Sequence, residues 1–237
     1  MKNTKFIIIG NQKGGVGKST MTSVMANFIA NNTSLKVLVF DCDDLQETLY
    51  KKRHREMEFL KENNLRLKNE AYQIVKVNSN EFKNVVSKYE GDYDFIFIDV
   101  PGNLKQTGVI ECYLAADYIF MPTDITEQDM DSTISFYNEV DKKIIPIRRQ
   151  EKLVTVIYAF LNKINKVTRT YKEFDSYKDQ LPFNFLNTHI GYSSVTFGDK
   201  FSTISDYSFM KGKENLLDNL CIEIMEVVGV KVSIENI

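Results

Sequence analysis

Residues 13–20, Lys-Gly-Gly-Val-Gly-Lys-Ser-Thr, bring three glycines, two lysines and two hydroxyls into one short stretch. An apolar run, Lys5–Ile9, precedes it, and a helical pattern, Ser19–Ala30, follows it. Glycines between a strand and a helix let backbone N–H groups turn toward an anion, and the helix N-terminus adds its positive end. Gly14, Gly15, Val16 and Gly17 would supply that backbone, and Thr20 a further contact. Lys18 would reach the β- and γ-phosphates of a nucleotide, and the Ser19 hydroxyl would bind Mg²⁺. The usual pattern places a glycine where this chain has Gln12, and the chain adds a second lysine, Lys13, at the start of the loop.

Carboxylates stand at the ends of two further apolar runs. Asp41 and Asp43 follow Leu35–Phe40, about 23 residues after Lys18, and Asp99 follows Phe95–Ile98. Phosphoryl transfer needs a positioned metal and water more than it needs covalent chemistry. Acidic groups at strand ends suit that need, because ligands of open parallel sheets bind there. Taken alone, Asp41-Cys42-Asp43 reads first as a cluster capping the next helix, and its place at a strand end after Lys18 is what favours a site.

The elements that must hold these groups are legible as short apolar runs alternating with helical patterns. Strands are expected at Lys5–Ile9, Leu35–Phe40, Gln73–Val77, Phe95–Ile98, Tyr118–Met121 (stopped by Pro122) and within Leu153–Leu161. Helices are expected at Ser19–Ala30, Leu45–Asn63, Glu81–Tyr89 and Asp129–Lys143. A closing stripe of Leu216, Leu217, Leu220, Cys221, Ile224, Val227 and Val228 is expected to dock on the sheet. Strands apolar on both faces and separated by helices indicate an α/β fold, a mostly parallel twisted sheet with helices on both faces. One domain spanning 1–237 is expected, with loops and short helices over Thr168–Ser208.

The composition fits that reading. The chain has 237 residues, 43% hydrophobic, with 30 basic and 32 acidic side chains. The apolar fraction excludes disorder, and 11 Gly with 4 Pro exclude a low-complexity chain. Three distant cysteines, Cys42, Cys112 and Cys221, give neither a disulfide framework nor a zinc pair and suit a cytoplasmic protein. No apolar run reaches the roughly 20 residues of a membrane span. Two basic runs, Lys51-Lys52-Arg53-His54-Arg55 and Lys142–Lys152, leave room for a local anion-binding face on a chain of net charge -2. His54 and His189 lack metal-ligating neighbours and read as surface or structural residues.

Lys13–Thr20 resembles the deviant Walker A motif of the ParA/MinD family of P-loop ATPases, and Asn11-Gln12 is more similar to its ParA branch. The resemblance implies a P-loop NTPase fold, ATP and Mg²⁺ as ligands, and a sandwich homodimer closed by ATP, with Lys13 reaching the partner's nucleotide. Asp41–Gln46 resembles the family's D-x-D-P-Q element, with Asp44 at the proline position. It implies that Asp41 lies near the Mg²⁺ shell and that Asp43 orients the attacking water. Phe95–Gly102 resembles a Walker B strand and its turn, which implies Mg²⁺ held by Asp99 and a backbone at Gly102 that follows the γ-phosphate. Phe160–Lys163 resembles the strand end whose asparagine reads the adenine edge. Asn162 is the residue there, although an asparagine at that place can equally cap a loop. The resemblance covers Lys5–Asp43 and Asp92–Asp129 and fades beyond Val167.

These likenesses imply a slow, partner-stimulated, Mg-dependent ATP hydrolase. Its ATP-bound dimer would bind DNA without sequence preference and position a plasmid, chromosome or conjugative element, helped by a ParB-like or mobile-element protein. A MinD-like membrane switch needs a basic amphipathic terminus, but Glu223, Glu226 and Glu235 flank the last stripe. A small-molecule ligase or kinase on the same fold is the third reading, and Thr168–Ser208 supplies no recognisable acceptor pocket for it. A tyrosine autokinase would carry a terminal tyrosine cluster, and a nitrogenase-type iron protein a second suitably placed cysteine. The chain has neither.

Overall fold

The computed structural model describes residues 4–43, 48–67, 69–192, 202–204 and 216–232. Seven strands form one all-parallel sheet: β1 (Lys5–Ile9), β2 (Val37–Asp41), β3 (Gln73–Lys76), β4 (Phe95–Asp99), β5 (Tyr118–Thr123), β6 (Val156–Leu161) and β7 (Asn184–Phe185). Their order is β3-β2-β4-β1-β5-β6-β7, so both β1 and β4 are central. The sheet is parallel because helices carry the chain back between strands: α1 (Lys18–Asn32), α2 (Thr48–Glu62), α3 (Phe82–Val86), α4 (Val109–Ala115), α5 (Glu127–Lys143), α6 (Ile145–Gln150) and α7 (Arg169–Glu173). Helix α8 (Leu216–Val227) is the last element among the described residues. This is the α/β arrangement of P-loop NTPases expected from the sequence.

Alternation along each strand splits the core into two layers. Ile7, Ile9, Val39, Phe97 and Phe120 face one side, where Met21, Met25 and Ile29 of α1 and Leu220, Ile224 and Met225 of α8 cover them. Ile8, Phe40, Ile96, Ile98 and Met121 face the other, against Phe82, Val109, Tyr113, Met130, Phe136 and Val140. The apolar stripe of the final helix is thus buried against α1 and the sheet. Cys42, Cys112 and Cys221 are all buried and free.

Several expected boundaries move. Strand β5 does not stop at Pro122 but runs to Thr123, paired with Leu161 of β6. The backbone of Phe120 faces β1, since its carbonyl accepts from Gly10 N–H. Pro122, two residues on, faces the same side, where β1 has ended, so no ladder bond is lost there. Its carbonyl instead accepts from Asn11 Nδ2 at 3.0 Å. Strand β6 starts at Val156 because Leu153 and Val154 precede the paired register and are exposed. Helix α3 is shorter than expected, and a 3₁₀ turn at Ser79–Glu81, capped by the Asn78 side chain, leads into it. Helix α5 starts at Glu127 because the Thr126 side chain caps it by accepting from Asp129 N–H. The expected start of α2 at Leu45, together with Asp44, Gln46, Glu214 and Glu235, lies outside the described residues.

Candidate nucleotide site

The strand ends converge at one place. Residues 10–17 connect β1 to α1, and Asp41 and Asp99 end β2 and β4 as register partners on neighbouring strands. Two glycines give the loop its path: Gly15 and Gly17 hold φ of 76° and 98°, conformations that side chains disfavour. A Cβ at Gly14 or Gly15 would meet nothing within 4 Å, so the loop borders open space there. Gly102, after the β4 turn, is required for another reason. A Cβ there would lie 2.7 Å from the Gln12 carbonyl oxygen, so this turn can rest against the loop only as glycine.

Lys18 donates to the Lys13 carbonyl at 3.0 Å. Burial lowers its pKa, while the nearby Asp99 and Asp43 carboxylates act to raise it. Lys13 pairs with Asp129 at 2.6 Å, so within one chain its ammonium is directed toward α5. Asn11, fully buried, donates to Pro122 O and to Thr133 Oγ1, which ties the start of the loop to β5 and α5.

Asp99 is 1% exposed, and neither of its carboxyl oxygens has a hydrogen-bond partner. Its pKa is pushed up to about 8, chiefly by burial and then by the Asp41 carboxylate, with Ser19 and Lys18 acting in the opposite sense. A buried carboxylate without partners is costly unless a cation joins it. The Ser19 hydroxyl and Asp99 together offer hard oxygen donors. Among the described residues no cluster of three or more His, Cys, Asp or Glu forms a protein-only metal cage. That donor set fits Mg²⁺, which takes one or two protein oxygens and completes its shell with water and phosphate.

Asp41 has a different role from Asp99. Its Oδ2 accepts from Leu49 N–H at 3.0 Å and Tyr50 N–H at 2.8 Å, and its Oδ1 accepts from Asp43 N–H at 3.3 Å. It therefore caps the start of α2, the alternative left open for this acidic cluster, while standing beside Asp99. Asp43 is near enough to Lys18 to bias its ionisation.

Asn162, buried at the end of β6, donates from Nδ2 to Val16 O at 2.8 Å, and its Oδ1 has no partner. It thus joins the base of the loop. The next residue was missed by the sequence reading: Lys163 donates to Gly15 O at 2.8 Å. Only its place after a strand-terminal asparagine could have drawn attention to it. Beside these residues opens a cavity of about 570 Å³, lined in part by Asp124, Thr126, Lys163, Asn165 and Tyr192.

The basic runs do not converge in this way. Arg53 turns inward, donating to Tyr72 O at 2.5 Å and to Thr203 Oγ1 and O at 2.9 and 2.7 Å, and it stacks over the Tyr72 ring. Lys52 pairs with Glu56, and His54 with Glu58. In the second run Arg148 is buried and bonds Asp117, Leu114 O and Val154 O. Lys142, Arg149 and Lys152 stay exposed. His189, half-buried, hydrogen-bonds with the Tyr171 hydroxyl at 3.1 Å. Among the described residues no helix is long and apolar enough to cross a membrane.

No curated protein matches in sequence. Solved structures match over nearly the whole chain at low identity. A plasmid partition protein from Borrelia burgdorferi B31, bound to AMPPNP, is 20% identical, covering 96% of this chain and 98% of its own, with a TM-score of 0.61. The pNOB8 ParA bound to nonspecific DNA is 17% identical, covering 95% and 99%, with a TM-score of 0.64. The septum site-determining protein MinD from Pyrococcus horikoshii OT3, complexed with Mg-ADP, is 17% identical, covering 95% and 98%, with a TM-score of 0.63. At such identities these likenesses speak for the fold. The sequence model of the ATPase MipZ family matches residues 5–174, well over half of the chain. The chain belongs to that family, among the ParA/MinD-like ATPases.

Proposed function

We propose that this single-domain cytoplasmic protein binds ATP with Mg²⁺, dimerises on it, binds DNA without sequence preference and hydrolyses the nucleotide slowly to position a plasmid, chromosome or conjugative element. The observation that carries the nucleotide part is the buried Asp99 carboxyl at the end of β4, whose oxygens have no hydrogen-bond partner and which lies near Ser19 and Lys18. Gly14 to Gly17, Ser19 and Thr20 would hold the phosphates, with Lys18 on the β- and γ-groups. Mg²⁺ would be held by Ser19 and, through water, by Asp99, with Asp41 in the outer shell. The bound ion would neutralise charge developing on the phosphate oxygens. Asp43 would orient the water, and Asn162 would present its free Oδ1 toward the adenine edge.

Lys13 is the residue that links hydrolysis to dimerisation in this reading. Its ion pair with Asp129 is partly exposed, with 31% of the lysine side chain accessible, so releasing it to a partner's phosphates costs little. The DNA part draws support from Lys142, Arg149 and Lys152 and from the DNA-bound relative, and it implies a salt-sensitive interaction. A ParB-like or mobile-element protein would speed turnover. The membrane reading gains no support from α8, whose apolar residues are buried and whose Glu223 accepts from Asn187 and Thr188 N–H.

Fluorescence anisotropy of random duplex DNA, titrated with ATP or with ADP at two salt concentrations, tests the proposal. Binding with ATP alone that weakens as salt rises is expected. Absence of binding in both nucleotide states would remove the DNA role and leave the ATPase reading standing.

A further inference from the structure

Two side chains from the end of β6 hold the phosphate loop by its carbonyl groups. Asn162 Nδ2 binds Val16 O and Lys163 Nζ binds Gly15 O, each at 2.8 Å. The residues around Lys163 are pinned. Asn162 N–H donates to Thr123 O, Ile164 N–H to Ile190 O, and Tyr192 N–H to Ile164 O. Between them Lys163 adopts a left-handed backbone, φ 61°, which a residue with a side chain avoids without compensation. That conformation carries its ammonium back over the loop.

The consequence follows from the peptide group. In a planar trans peptide the carbonyl and the next N–H point in opposite directions. Fixing Gly15 O and Val16 O toward β6 therefore fixes the N–H groups of Val16 and Gly17 away from it. These belong to the glycine loop that would cradle phosphate, and glycine-rich backbone left unheld samples many orientations.

We infer that Lys163 is a positioning residue of the nucleotide site: its ammonium clamps the Gly15 carbonyl and holds the loop in its phosphate-binding form before the nucleotide arrives. This rests on the ATP-binding reading above. The clamp is made between two parts of the chain and touches no reacting atom, so it contributes to nucleotide affinity through preorganisation and leaves the chemical step alone. Loss of it raises KM with kcat nearly constant.

The test uses the full chain and four variants: Lys163→Gly, Lys163→Arg, Lys166→Ala and Lys18→Ala. Glycine suits the left-handed backbone and removes the side chain with its ammonium, so a residue needed merely for the turn would be replaced at no loss. The expected result for Lys163→Gly is a rise of about tenfold in both the Kd of a fluorescent ATP analogue and the KM for MgATP, the scale of one charge-assisted hydrogen bond. Its kcat and Tm should stay close to those of the parent, Lys163→Arg should recover most of the affinity, and Lys166→Ala, which removes an exposed charge on the same turn, should change nothing. If Lys163→Gly binds nucleotide like the parent while Lys18→Ala does not, the clamp is refuted and the ATP site stands. Equal losses in Lys163→Gly and Lys166→Ala would also refute it, by reducing the effect to net charge. A parent chain that binds no nucleotide would overturn both readings together.

Discussion

Residues 10–18 and helix α2 both carry basic side chains, two lysines in the first and five lysines and arginines in the second, yet they do opposite things with them. In the loop, glycines with positive φ bend the chain, and Lys13 and Lys18 border an open space next to an unpaired carboxylate. In α2, successive residues point about 100° apart, so Lys51 to Arg55 cannot face a single ligand. Arg53 is directed into the protein and anchors Tyr72 and Thr203, while Lys52 and His54 pair with glutamates one turn on. A run of consecutive charges on a helix therefore marks a scaffold as readily as a site. Convergence comes from the ends of elements, where backbone direction changes.

The sharpest way to break this contrast is at Lys18. Lys18→Ala should lower ATP turnover by about 100-fold or more, as removal of a preorganised donor to transferring phosphate does, with Tm nearly unchanged. Assays of phosphate release at saturating Mg²⁺ check it.

Asp99→Asn comes next, with two effects of opposite sign. Turnover should lose its Mg²⁺ dependence and fall steeply, while the nucleotide-free chain gains stability. The Asp99 carboxyl is held at about 8 against an ordinary 3.8. The folded protein therefore retains a proton that the unfolded chain releases. The stability due to this group is fully present below about pH 4 and is lost as pH rises toward about 8. The Asp99→Asn chain escapes that loss, so its Tm advantage should grow across this range, as thermal unfolding at stepped pH would show.

Arg53→Ala should reverse the pattern seen for Lys18. The loss of its buried hydrogen bonds and of its stacking on Tyr72 should cost about 2 kcal/mol of stability by denaturant unfolding. Affinity for nucleotide should stay within about twofold. The smallest effect belongs to Lys52→Ala, whose i,i+4 pair with Glu56 is a weak helix-surface interaction. Its unfolding free energy should move by about 0.5 kcal/mol or less.

Much of this layout was legible in the residues. Apolar runs such as Lys5–Ile9 and Phe95–Ile98 permit only buried strands, and the glycines at 14, 15 and 17 mark the turn that joins β1 to α1. What escaped the sequence depends on partners distant along the chain. Pro122 reads as a strand stop because proline removes a ladder bond, but here β1 has already ended on that side. Asp41 reads as a metal ligand or a cap, and only the fold brings Leu49 and Tyr50 N–H to its Oδ2. Arg53 reads as one charge of five, since its acceptor Thr203 lies 150 residues away. Lys163 could not be singled out, because neither its left-handed backbone nor its approach to Gly15 follows from its neighbours in sequence.

Calorimetric titration of MgATP into the full chain, with Lys18→Ala and Arg53→Lys in parallel, tests the central contrast most directly. Binding is expected by the parent and by Arg53→Lys, and none by Lys18→Ala. Equal binding by all three, or loss in Arg53→Lys with retention in Lys18→Ala, would place the nucleotide elsewhere and contradict this contrast.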